Sequence, residues 1–179
     1  MNFQQELIDL LPKIVWDGST LDEGLWETQL MAAKARRLLF IGNGGSAGIA
    51  SHMAIDWTKN GNKPALAFND CASLTAVGND LGFKSVFSYP LQVHAQLGDM
   101  LFAISSSGQS EDILDAVYAA KINGMKVATF SGFKPDNPLR SEGTINFYVP
   151  SSDYGLVECS HLILNHAILN AAIGLKNGS

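Results

Sequence analysis

A chain of 179 residues with 46% hydrophobic and 16% charged side chains has the length of one domain and enough apolar surface to offset chain entropy, which excludes a disordered segment, a short peptide and a repeat array. Twelve Lys and Arg against seventeen Asp and Glu leave a net charge of -5, the wrong sign for gripping a phosphate backbone, so nucleic acid is not an expected partner. Apolar runs fall short of the roughly 20 residues that span a bilayer, the start lacks a cationic and then apolar leader, and Cys71 and Cys159 form no CxxC; we expect no membrane span, no secretion signal, no disulfide, and a reducing cytoplasm.

In chain order, Phe3, Leu7, Leu10, Leu11 and Ile14 recur at helical spacing through residues 3–15, and a second amphipathic stretch runs from about Leu21 to Arg36, so two helices open the chain. Five short apolar segments follow at 37–41, 64–68, 100–104, 126–130 and 144–149, continuous enough to be strands buried on both faces. Helical patterns occupy about 46–60, 84–97, 108–123 and 154–175. Strand alternating with helix predicts an α/β fold, a doubly wound, mostly parallel five-stranded sheet flanked by helices, and no linker divides residues 1–179 into more than one domain. Ligands of such sheets bind outside the carboxyl ends of the strands.

Two of those ends carry chemistry. Gly42-Asn43-Gly44-Gly45-Ser46 follows a strand and opens a helix, so unhindered backbone N–H groups can face an anion. It is neither GxGxxG nor a P-loop, so no nucleotide cofactor is expected. Ser105-Ser106-Ser107-Gly108-Gln109-Ser110 repeats the strand-to-helix arrangement with four hydroxyls, a composition suited to a phosphate monoester and compatible with an acidic chain. His52 and Asp56 stand four apart on the helix after the first loop and share a face. Glu158 and His166 stand eight apart on the last helix, about 80° apart around its axis. These four could serve as general acid and base or as metal ligands. His161, about 140° from His166, does not share its site, and His94 reads as surface or core. Gly78-Asn79-Asp80 interrupts a helix-like stretch and fits either a turn or a group of sugar-binding side chains.

GNGGSA (42–47), VGNDLGF (77–83) and ISSSGQSEDILDAVYAAKINGMKVATFSG (104–132) together resemble the sugar isomerase (SIS) family, and within it the phosphoheptose isomerase branch that acts on sedoheptulose 7-phosphate. The resemblance implies the SIS fold, a flavodoxin-like sheet, and a homotetramer with sites between subunits, in which the helices of residues 1–36 take part in oligomer packing. It implies that Ser105, Ser106, Ser107 and Ser110 hold the phosphate, with Asn43, Gly44, Gly45 and Ser46 and the pair Asn79 and Asp80 completing the substrate site. It implies zinc at His52, Asp56, Glu158 and His166. Asp56 stands where the family has glutamate and Glu158 where it has glutamine. Gly155-Leu156 replaces an Asp-Arg, and Lys59-Asn60 replaces an arginine.

The reaction implied interconverts an aldose and a ketose through an enediol, which needs one base, one acid and stabilisation of the developing charge. By resemblance Asp56 is the base and His166 the acid, Glu158 is a rival base, and the phosphate anchors the substrate remotely. A non-catalytic SIS-fold regulator that binds a phosphosugar or another protein is the alternative.

Overall fold

The computed structural model describes residues 2–16 and 20–177, with side chains through Gly174. Helix α1 (Phe3–Leu10) starts on Asn2, whose side chain accepts from the Gln4 amide, and ends in a 3-10 turn (Leu11–Lys13). Pro12 has no N–H to continue the helix, so the stretch expected to be helical through residue 15 stops at Leu10. The chain then extends as β1 (Val15–Trp16). Helix α2 (Leu21–Lys34) begins on a capping box between Thr20 and Glu23. After it come β2 (Leu38–Gly42), α3 (Gly45–Lys59), β3 (Ala65–Ala67), α4 (Cys71–Leu81), α5 (Ser88–His94), β4 (Met100–Ser105), α6 (Glu111–Ile122), β5 (Lys126–Ser131), β6 (Ile145–Tyr148) and α7 (Tyr154–Asn177).

One six-stranded sheet runs in the order β1-β6-β5-β4-β2-β3. All neighbours are parallel except β1, which pairs antiparallel with β6 through Val15 with Tyr148 and Trp16 with Phe147. The five expected strands are present; β1 is the addition. A two-residue strand carries no periodicity of its own, and this one is fixed by tertiary packing. The Trp16 ring lies against Gly24 of α2, where a Cβ would come within 2.5 Å of Trp16 Cγ.

Alternate residues of the buried strands enter two cores, as a pleated sheet covered on both faces requires. Leu38, Phe40, Phe102, Ile104, Phe130 and Phe147 face α1, α2, α3 and α7, and their rings form a row, with Phe40–Phe102 at 4.7 Å and Phe130–Phe147 at 5.1 Å between centroids. Leu39, Ile41, Leu101, Ala103 and Val127 face α5 and α6. Edge strand β3 departs from the expectation of full burial, since Leu66 is exposed. Helix α4 departs from the reading of a turn at 78–80: it continues through Asn79 and Asp80 and stops at Gly82, whose φ of +86° favours glycine. Helix α7 is apolar and long enough by composition to cross a bilayer, but half of that stretch is buried inside the protein, where it packs on α1, α2 and α3.

With the parallel strands counted from β2, the order is 2-1-3-4-5, the flavodoxin-like arrangement. The winding reverses between β2 and β4. Loops leaving these neighbouring strands diverge to opposite faces and open a crevice between them.

Candidate active site

The crevice is lined by Asn43, Gly44, Gly45 and Ser46 after β2, by Ser105, Ser106, Ser107 and Ser110 after β4, and by Tyr154 and Glu158 from α7. Its volume is about 240 Å³, room for a phosphorylated small molecule. The glycine-rich loop is built by close approach. A Cβ on Gly42 would fall 2.6 Å from the Ser46 backbone, and Gly44 turns into α3 with φ of +55°. A Cβ on Gly45 would fall 2.2 Å from Glu158 Oε2, so the absence of a side chain there admits the Glu158 carboxylate onto the N-terminus of α3, where the helix dipole favours negative charge.

The serine loop is more deeply set. Ser105 and Ser106 are buried, the Gly108 amide donates to Ser105 Oγ at 3.2 Å, and the Ser105 and Ser110 hydroxyls lie 3.4 Å apart. Gly108, at φ of +63°, leaves the space that Asn137 occupies, since a Cβ would come within 1.9 Å of Asn137 Oδ1. Buried Asn137 ties the loop after β5 together: its Nδ2 donates to the Gly132 and Lys134 carbonyls, its Oδ1 accepts from the Arg140 amide, and the Leu139 amide donates to the Gly108 carbonyl. Ser106 Oγ is buried in the cleft wall without a hydrogen-bond partner. A buried hydroxyl left unpaired is costly, so this one is a candidate to pair with a ligand or water at the cleft wall.

Further along α3 and α7 a second group assembles. His52, Asp56 and His166 each offer a ligand-type atom, all within 4.8 Å of one another. His52 Nε2 lies 3.4 Å and His166 Nδ1 4.0 Å from Asp56 Oδ2, and the two rings meet at 5.3 Å with an angle of 63°. Two imidazoles and one carboxylate fit the donor set of a divalent transition metal with an open coordination position. Glu158 does not join them. Eight residues of α7 rise about 12 Å, which leaves its carboxylate at the glycine loop and His166 at the cluster.

Residues 28–132 match the SIS domain family. The chain belongs to that family. Phosphoheptose isomerase of Campylobacter concisus is 39% identical over 142 residues, 76% of this chain and 75% of the relative, and that of Leptospira biflexa is 35% identical over 172 residues, 92% and 84% of the two chains. The solved structure of phosphoheptose isomerase from Neisseria gonorrhoeae superposes with a TM-score of 0.78 at 28% identity, covering 94% of this chain and 90% of that one. The chain is thus an SIS-family enzyme of the phosphosugar isomerase type.

Within this SIS chain the residues singled out in the sequence fall into three places. Asn43, Gly44, Gly45, Ser46, Ser105, Ser106, Ser107, Ser110 and Glu158 share the cleft, and His52, Asp56 and His166 share the cluster. Asn79 and Asp80 lie outside both, exposed on the last turn of α4, where Asn79 Nδ2 donates to Asp80 Oδ1 at 2.7 Å. His161 is fully buried, with Nε2 3.2 Å from the Ser131 carbonyl, and burial pushes its pKa down to about 4. His94 is exposed and stacks on Phe68. Two residues of the site were missed by sequence reasoning. Tyr154 lines the cleft with its ring edge-on to Phe133 at 4.7 Å, and only its place at the start of α7 could have signalled it. Asp112 bonds Asn43 from behind the cleft.

Proposed function

We propose that this chain isomerises a phosphorylated sugar, with sedoheptulose 7-phosphate as the substrate, converting the ketose to a heptose 7-phosphate through an enediol. The buried, unpartnered hydroxyl of Ser106 in the wall of a cleft lined by four further serines is the observation that carries the reading. The glycine loop already faces the Glu158 carboxylate, so a phosphate dianion belongs on the serine loop, at the N-terminus of α6. An extended seven-carbon chain anchored there would place its C1–C2 bond about 9 Å from phosphorus, from C–C bonds of about 1.5 Å. His52 lies six residues beyond Ser46 on α3, a rise of about 9 Å. The sugar chain then runs along α3 and α7, past Glu158, to the cluster.

At the cluster, Asp56 takes the proton from the carbon beside the carbonyl and His166 returns one to its neighbour; Glu158, the rival base expected from the sequence, sits at the glycine loop beside the middle of the sugar chain and out of reach of the reacting carbons. Zinc held by His52, Asp56 and His166 would polarise the carbonyl when bound, and Glu158, expected from the sequence as a fourth ligand, lies apart from these three at the glycine loop. The phosphate raises rate by anchoring, since binding far from the reacting carbons fixes their approach.

We read the chain as one SIS domain, 1–179, acting in the cytoplasm as a homotetramer. Exposed Trp26 on α2, Ile55 on α3 and Leu66 on β3 supply apolar faces for a second copy. Asn79 and Asp80 would then reach a neighbouring subunit's cleft. The decisive experiment follows sedoheptulose 7-phosphate by NMR with purified protein, with and without a chelator. Appearance of an aldose phosphate is expected; tight phosphosugar binding without turnover would make the chain a regulator.

A further inference from the structure

On the glycine-loop side of the cleft, a side chain outside the cleft sets the hydrogen-bonding sense of one lining residue, Asn43. Asp112 is the second residue of α6 and is only 4% exposed. Its Oδ2 accepts a 2.7 Å hydrogen bond from Asn43 Nδ2. An ionised carboxylate only accepts, so it fixes which end of the Asn43 amide turns toward it. One N–H of the NH2 group is committed to Asp112, and the carbonyl Oδ1 is the end of the amide turned away from that carboxylate. Asn43 itself lines the cleft.

We propose that Asp112 is a positioning residue that holds the Asn43 amide so that Oδ1 faces the cleft and accepts a hydrogen bond from a substrate hydroxyl. The proposal rests on the phosphosugar reading above. The N-terminal turn of α6 stabilises a negative charge at this position. Burial pushes the Asp112 pKa up, while the bonds from Asn43 and from the backbone amides of Asp112 and Ile113 pull it back. Glu158, seated against Gly45, places a second acceptor on the same side of the cleft. The opposite wall carries the hydroxyls of Ser105, Ser106, Ser107 and Ser110. Phosphate, which accepts, is bound by the donor wall, and the sugar hydroxyls, which donate, are bound by the acceptor wall. Asp112 therefore gives the substrate a direction without touching it.

A reciprocal exchange tests this. Asn43→Asp alone sets two carboxylates against each other, and kcat/KM should fall about a hundredfold. Adding Asp112→Asn restores an amide donating to a carboxylate, now in the reverse direction, with an acceptor still facing the cleft. The double exchange should recover kcat/KM to within about fivefold of wild type, chiefly through KM, while the Ki of inorganic phosphate stays within about twofold. If the double exchange remains as impaired as Asn43→Asp and binds phosphate more weakly, Asn43 serves as a donor to the anion and the proposal is wrong. Should Asn43→Asp fail to fold, Asp112→Asn is compared in the wild-type and Asn43→Ser backgrounds. Asp112→Asn should raise KM about tenfold in the first and leave it unchanged in the second; equal effects would overturn the proposal. If wild-type protein turns over no ketose phosphate, the functional reading fails separately, and the same variants are compared for binding of a reduced sugar phosphate, an alditol phosphate, by calorimetry.

Discussion

The serine cradle and the histidine cluster, which we propose to be the two ends of one site, are built in opposite ways. The cradle is buried and over-determined, with Gly108 held between Ser105 and the Asn137 network. The cluster is open: the side chains of His52, Asp56 and His166 are 49%, 20% and 37% exposed, and their mutual distances of 3.4 and 4.0 Å are looser than hydrogen bonds. An anion anchored by fixed dipoles needs a preformed site, because each donor must already point at it. A cluster that meets the reacting carbons needs access, and its geometry tightens only when a cation or substrate supplies the missing partner. Removing a cradle residue should therefore disturb binding, and folding as well where the residue is buried, and removing a cluster residue should disturb chemistry alone.

The sharpest separation comes from His166→Ala, for which kcat should fall about a thousandfold with KM for the sugar phosphate nearly unchanged, as loss of an acid–base group predicts. A parallel rise in KM would join the cluster to the anchoring site. Gly108→Ala attacks the other end: with φ of +63° and Asn137 in the way, it should cost about 3 kcal/mol in chemical denaturation and raise KM about a hundredfold. A variant with native stability would mean that Asn137 moves aside freely. Ser107→Ala with Ser110→Ala should raise KM about thirtyfold while leaving kcat and Tm close to wild type. Unchanged KM would remove the phosphate from this loop.

The acid response sharpens the contrast between buried and exposed histidines. His161 has its pKa depressed to about 4 from 6.5 by burial, against the bond to Ser131. The unfolded chain takes up the proton first, so stability is full above about pH 6.5 and is lost as pH falls toward 4. Between about pH 7 and pH 5 the loss should reach about 2 kcal/mol, and His161→Phe should remove that slope from urea denaturation curves. The smallest effect concerns metal removal: chelation should abolish kcat yet shift Tm by only a few degrees, because the cluster is partly exposed and outside both cores. A shift of tens of degrees would make the metal structural.

Much of this was legible in the chain. Continuous apolar runs at 37–41, 100–104 and 126–130 suited strands covered on both faces, and small residues at their carboxyl ends marked where a ligand would lie. The i, i+4 spacing of His52 and Asp56 put them on one face before any coordinates. Glu158 was harder to place, because spacing along α7 gave an angle and a rise while the vacancy beside Gly45, which draws its carboxylate to the glycine loop, belongs to a different element.

What the sequence alone determined is the five parallel strands, most of the helices between them and the chemistry at each loop, since periodicity, glycine and hydroxyl content are local properties. Tertiary structure decided the rest. Strand β1 exists because Trp16 finds Gly24 and Phe147, and Asn43 acquires a direction because Asp112, sixty-nine positions away, takes its NH2 group. Contacts between distant segments leave no periodic trace in either, so packing alone selects them.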